Sequence, residues 1–161
     1  KYQSLFSSVN PVSTPHFNFS VPEPTGIVAV AAPEARSLLG LCSAIAPILT
    51  GGNTSVVLAS HSKPLCAITL AEVLNSSDVP AGVVNILTGL RDELLPQFAE
   101  HMDGNALLLC SDEEEEAKMA GKRAAENLKR VVSHPDSPLE EDPYHILDFQ
   151  EIKTTWHPVG V

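Results

Sequence analysis

The chain has 161 residues, enough for one domain that hides roughly 70% of its unfolded surface, so a core needs no metal or disulfide staple. Twenty acidic against ten basic side chains leave a formal charge of −10, which opposes the counterion release that drives binding to a phosphate backbone and argues against nucleic acid as a partner. With no run of about twenty apolar residues a membrane span is not expected either.

The first 23 residues read as an extended, proline-punctuated arm, most clearly from Tyr2 to Val21. Gly26 to Ala32 is a β-branched and alanine run closed by Pro33, which suits a strand buried on both faces. From Arg36 to Leu49 apolar residues lie nearly all round a helix, with Gly51 and Gly52 as its stop. Thr54 to Ala59 is a second strand. A helix from Lys63 to Leu74 follows, with Pro64 in its first turn, where a missing N–H costs nothing. Val83 to Leu87 is a third strand, preceded by the Pro80-Ala81-Gly82 turn. Asp92 to His101 is a helix turning Leu94, Leu95 and Phe98 inward, and Ala106 to Cys110 is a fourth strand. A last long helix is expected from about Glu113 to Leu128.

Strands alternating with helices imply right-handed crossovers and hence an α/β, doubly wound, Rossmann-like parallel sheet over residues 24–132. A polar connector fills 133–144. In the tail, 145–161, His145 to His157 alternates like a strand: Ile146, Asp148, Gln150, Ile152, Thr154 and Trp156 share one face, and Leu147, Phe149, Glu151, Lys153 and Thr155 the other. Neither face is cleanly apolar, so this strand is expected at an edge or against another chain.

Cys42, Cys66 and Cys110, odd in number and set among aliphatic residues, read as small hydrophobes of a reducing, cytoplasmic compartment. No secretory signal is expected, so the sequons at Asn18, Asn53 and Asn75 lack a glycosylating context. The opening Lys1 is consistent with a fragment or excised domain.

Gly52-Asn53-Thr54-Ser55-Val56-Val57-Leu58 and Val79-Pro80-Ala81-Gly82-Val83-Val84-Asn85-Ile86-Leu87-Thr88-Gly89 resemble the cofactor-binding half of the aldehyde dehydrogenase superfamily. The resemblance covers about Pro24 to Val131 and returns at Gln150-Glu151-Ile152-Lys153-Thr154, which looks like the family's oligomerisation strand. Between the two, the resemblance implies a whole catalytic domain. A short connector stands there, so the segment with the nucleophilic cysteine and general-base glutamate is missing and no catalytic residue is assigned. The chain looks most like the truncated second module of a family-16 aldehyde dehydrogenase.

Cofactor positions carried over from the family are degenerate. The family's oxyanion-stabilising asparagine falls on Ala35, which has no side-chain donor. The ribose-binding lysine falls on Leu58 and the nearby glutamate on His61, and leucine can neither donate to a ribose nor pair with a 2′-phosphate. The phosphate-approach turn falls on Leu109-Cys110-Ser111-Asp112, and Asp112 to Glu116 bring five carboxylates to the place of the pyrophosphate. At roughly 6 Å and an effective dielectric near 20, each like-charge pair costs about 2–3 kcal/mol. The resemblance therefore implies no cofactor, with NAD or NADP in a degenerate site as the alternative. The same acidic run also suits a helix N-terminal dipole without any ligand.

Cys42 has no neighbouring base in the sequence and reads as a core thiol. His61 with His101, and His134 with His145 and His157, have no spacing that commits them to a metal, and no metal site is assigned. Lys122, Arg123, Lys129 and Arg130 read as cations at the C-terminal end of the last long helix. The function implied is a non-catalytic assembly or protein-interaction module. Its partner is another module of the same polypeptide or a second subunit, held by strand addition through the arm and the tail, with Phe149, Ile152, Lys153 and Trp156 as contact candidates. The alternatives are a degenerate NAD(P)-binding regulatory part of an oxidoreductase and a remnant without a partner.

Overall fold

The computed structural model describes residues 6–160, so Tyr2 to Leu5 of the expected arm lie outside the described residues. In chain order the strands are β1 (Ser8–Asn10), β2 (His16–Pro24), β3 (Ile27–Ala31), β4 (Thr54–Leu58), β5 (Val84–Leu87), β6 (Ala106–Cys110), β7 (Arg130–His134) and β8 (Gln150–Pro158). The helices are α1 (Ser37–Thr50), α2 (Leu65–Asn75), α3 (Arg91–Glu100), α4 (Glu114–Ala124) and α5 (Tyr144–Leu147).

β3 to β7 form a parallel sheet in the order β5-β4-β3-β6-β7. The two central strands, IVAVA and ALLLC, are the most continuously apolar, as burial on both faces demands. Val28, Val30 and Ala32 pack with Leu41, Ile45 and Ile48 of α1 and with Ala67 of α2. On the opposite face Ala29, Ala31, Leu107 and Leu109 meet Leu95 and Ala99 of α3 and Ala120 of α4. The alanines there leave room for two helix backbones to approach the strands. From β3 the chain runs to β4 and β5 on one side, then crosses to β6 and β7 on the other. The loops after β3 and β6 therefore part, and a crevice opens at the carboxyl ends of these strands.

The last long helix is shorter than its sequence suggests. α4 ends at Ala124, a 3-10 turn covers Ala125–Asn127, and Leu128 takes a left-handed φ of 56°. The Lys129 N–H then donates to the Ala124 carbonyl at 3.1 Å. A leucine fills a position that usually signals itself by glycine, so the stop was hidden. β7 follows at once and runs beside β6, with Val131 opposite Leu107 and Val132 opposite Leu108. It crosses the expected boundary at 132–133. As a half-buried edge strand with two valines, it carries little apolar signal of its own.

The tail also differs. Asp142 accepts a hydrogen bond from the Tyr144 N–H at 2.9 Å and starts the short α5, so the residues from His145 that alternate like a strand form a helical turn. The turn puts Ile146 and Phe149, three apart, on one side and buries both. Phe149 is 1% exposed and joins the core beside α1, so it is not a partner contact. β8 begins only at Gln150.

β8 pairs with the chain's own arm. All nine of its residues lie antiparallel to β2, from Pro24 opposite Gln150 to His16 opposite Pro158, and β1 covers the other side of β2. Asn53 fastens this small sheet to the large one. Its side chain accepts from the Gly26 N–H at 2.8 Å and donates to the carbonyls of Ile48 (3.3 Å) and Phe149 (2.9 Å). Arg130 adds bonds to the carbonyls of Asp148 (2.9 Å) and Gln150 (3.1 Å). Asn18 and Asn53 are buried, which closes two of the three sequons to a glycan. No helix among the described residues is long and apolar enough to cross a membrane.

Candidate functional site

The crevice at the ends of β3 and β6 is where an open α/β sheet ordinarily takes a ligand. Here it is a cavity of about 220 Å³ lined by five carboxylates, Glu34, Asp112, Glu113, Glu116 and Asp136, against one guanidinium, Arg91. Arg91, the first residue of α3, reaches across it. Its Nε donates to both Glu116 oxygens at 3.2 and 3.1 Å, Nη1 to the Ala32 carbonyl at 3.1 Å and Nη2 to the Cys110 carbonyl at 2.6 Å. One side chain thus ties together the exits of β3 and β6 and the first turn of α4.

Glu34 braces the neighbouring strand. Its carboxylate accepts from the N–H groups of His61 (2.7 Å) and Ser62 (3.1 Å) and from the hydroxyls of Ser60 (2.7 Å) and Ser62 (2.6 Å). Burial raises this carboxyl, and the bonds from Ser62, Ser60 and the two amides outweigh it, leaving it at about 2. The protein's own anion thereby occupies the amides that follow β4. Asp136, in the loop after β7, accepts from the Glu34 N–H at 2.6 Å, and its own N–H donates to Asp112 at 3.1 Å. The connector after β7 thus crosses one side of the crevice, linking the loops after β3 and β6.

The positions carried over from the family resemblance fall around this crevice. Ala35 sits in the turn between β3 and α1, and Leu58 is buried as the last residue of β4, between Ala31 and Leu87. His61 is exposed and contributes its backbone N–H to Glu34. Burial pushes the Cys110 thiol up to about 12, with Arg91 opposing and Asp136 reinforcing, so it is inert as a nucleophile. The Ser111 hydroxyl accepts from the Glu113 N–H at 3.0 Å. Of the five acidic residues from Asp112, only Asp112, Glu113 and Glu116 line the cavity. Glu114 and Glu115 point to solvent, each 3.0 Å from Lys118.

Arg91, Glu34 and Asp136 were not singled out by sequence reasoning. Glu34 stands in a position quoted for the resemblance, and its charge beside Pro33 was the available signal. Arg91 and Asp136 become neighbours only through the crossover. The basic residues of 122–130 also divide. Lys129 donates to the carbonyls of Phe98 (2.6 Å) and His101 (2.9 Å) at the end of α3, and burial lowers its pKa. It serves the C-terminus of α3 and not of α4. Arg130 serves the tail, while Arg123 pairs with Glu100.

A second cluster forms where β7, α5 and the lead into β8 converge. The rings of His134 and His145 are 4.8 Å apart and edge-on. Asp148 Oδ2 lies 3.4 Å from His145 Nδ1 and 3.8 Å from His134 Nε2. His134 Nε2 is buried without a hydrogen-bond partner among the described residues. Burial and then His145 lower the His134 pKa, with Asp148 opposing. His157, grouped with these two by the sequence, lies on β8 opposite Phe17 instead. Of the contact candidates, Ile152 is 54% and Trp156 58% exposed, and Lys153 pairs with Glu23.

A parallel sheet whose strand order reverses at a βαβ crevice defines the doubly wound, Rossmann-like class of α/β domain. Residues 2–134 match the aldehyde dehydrogenase family, and the chain belongs to that family. Hydroxyisobutyraldehyde dehydrogenase of Mycolicibacterium austroafricanum is 34% identical over 133 residues, 77% of this chain and 26% of that protein. NADP/NAD-dependent aldehyde dehydrogenase PuuC of Escherichia coli K12 is 28% identical over 127 residues, 79% of this chain and 26% of that protein. Among solved structures, PnpE from Pseudomonas sp. WBC-3 superposes with a TM-score of 0.78 at 26% identity, covering 83% of this chain and 27% of its own. The chain spans about a quarter of the length of these relatives.

Proposed function

We propose that this chain is a non-catalytic aldehyde-dehydrogenase-fold module of a cytoplasmic protein, of the family-16 type, and that it serves assembly and not oxidation. Its partner is a protein, either another module of the same polypeptide or a second copy of the chain. The observation that carries the reading is the acidic crevice, where Arg91 is engaged by Glu116 and two strand-end carbonyls while five carboxylates line the walls. A pyrophosphate brought there meets uncompensated negative charge in a confined space, and the amides after β4 already serve Glu34. The exposed Ile152 and Trp156 on β8 support the assembly role.

The test is calorimetric titration of the chain with NAD⁺ and NADP⁺ at low salt, continued into the millimolar range. No heat and no thermal stabilisation is expected. Saturable binding overturns the reading and favours a regulatory nucleotide site, an outcome that similarity to the NADP/NAD-dependent PuuC makes worth testing for.

A further inference from the structure

We propose that His134, His145 and Asp148 form a binding site for a divalent transition-metal cation of zinc chemistry, a clip that joins β7 to the start of β8. The site is independent of the crevice and of the reading placed on it. Two imidazoles and one carboxylate are a ligand set that Zn²⁺ takes readily, with bonds of about 2.0–2.2 Å, so that ligand atoms around a tetrahedral ion stand roughly 3.3 Å apart. The atoms here already approach that spacing: 3.4 Å from Asp148 to His145, 3.8 Å from Asp148 to His134, and all three within 4.8 Å of one another. Small side-chain rotations close the rest.

The backbone holds the three in place before any ion arrives. His134 ends β7 opposite Cys110, and its carbonyl accepts from the Ser111 N–H at 2.9 Å. His145 and Asp148 stand three apart on the turn of α5, which puts their side chains on one face. The Asp148 N–H donates to the Tyr144 carbonyl at 3.2 Å.

The second observation is the unpartnered His134 Nε2. A buried ring nitrogen without a partner carries a free-energy cost that a metal removes. The charge balance agrees, because one carboxylate partly offsets the dication, and the adjoining cavity of about 290 Å³, lined by both histidines, leaves room for water as a fourth ligand. Among the described residues no other histidine belongs to a group of three such ligands. His16 bonds Thr14, His101 accepts from the Asp103 N–H, and His61 and His157 are exposed.

The experiment titrates the 161-residue chain with Zn²⁺ by calorimetry in a non-chelating buffer, and with Co²⁺ for the visible absorption of a four-coordinate ion. One ion per chain is expected, with a raised thermal midpoint. His134→Gln or His145→Gln is expected to weaken binding at least tenfold, Asp148→Asn less, and His61→Gln not at all. Histidine ring resonances of the unaltered chain provide a reading that does not depend on a variant folding: Zn²⁺ is expected to shift His134 and His145 and to leave His16, His61, His101 and His157 in place. No saturable binding overturns the proposal. So does binding that survives both histidine substitutions, or resonance shifts confined to the exposed histidines.

Discussion

Glu34 shows how strongly its neighbours can hold one carboxylate in its charged form. Its folded carboxyl sits at about 2 against an ordinary 4.5 because four hydrogen bonds favour the charged form over the penalty of burial. A group depressed on folding contributes stability above its unfolded pKa and loses it as pH falls through the folded one. Glu34→Gln is therefore expected to lower the urea midpoint by a constant amount above about pH 4.5, with the gap to the unaltered chain closing between 4.5 and 2. A gap unchanged across that window would show that the carboxylate's charge is not what holds the β4 exit. Residue types at the family positions, Ala35, Leu58 and the acidic start of α4, were legible in the sequence. The network that links them was not, because Arg91 joins Ala32, Cys110 and Glu116 only after a crossover that no local spacing encodes.

Among the elements, those with strong local signals emerged directly. β3 and β6 are continuous apolar runs, β4 ends in Val56, Val57 and Leu58, and α1 and α2 carry glycine or proline punctuation close to their ends. β7 and α5 were missed for opposite reasons. β7 has too few apolar residues to separate from the helix before it, whereas α5 has an alternation that mimics a strand until its turn buries Ile146 and Phe149 together. That burial makes Phe149 the peg of the tail. Phe149→Ala is expected to cost about 3–5 kcal/mol of unfolding free energy, the usual range for emptying a buried aromatic site. Hydrogen exchange should then rise along β8 before it rises in β3 or β6. Uniform acceleration across both sheets would mean that the tail and the parallel sheet unfold as one unit.

On the scale of the whole molecule, the two sheets differ in what they leave open. The parallel sheet is flanked by helices, while β8 pairs on one side with β2 and has no strand on its other side among the described residues. An edge of that length carrying Ile152 and Trp156 invites strand addition. Sedimentation of the chain is expected to show self-association, reduced by Ile152→Lys with Trp156→Ser and little affected by changes at the buried Phe149 beyond their effect on folding. A monomer at every concentration would leave the second-copy partner without support and turn the search toward a module in the same polypeptide.

The pairing of β2 with β8 also sets a clock. Ser20 and Thr154, which share a hydrogen bond across these strands, lie 134 residues apart in the chain. Ribosomes extend a chain by about 5–20 residues per second, so β2 waits roughly 7 to 27 seconds for its partner after it is made. For that interval Phe17, Phe19 and Val21 belong to a strand whose β8 side stays open, an unpaired apolar edge until translation delivers the tail.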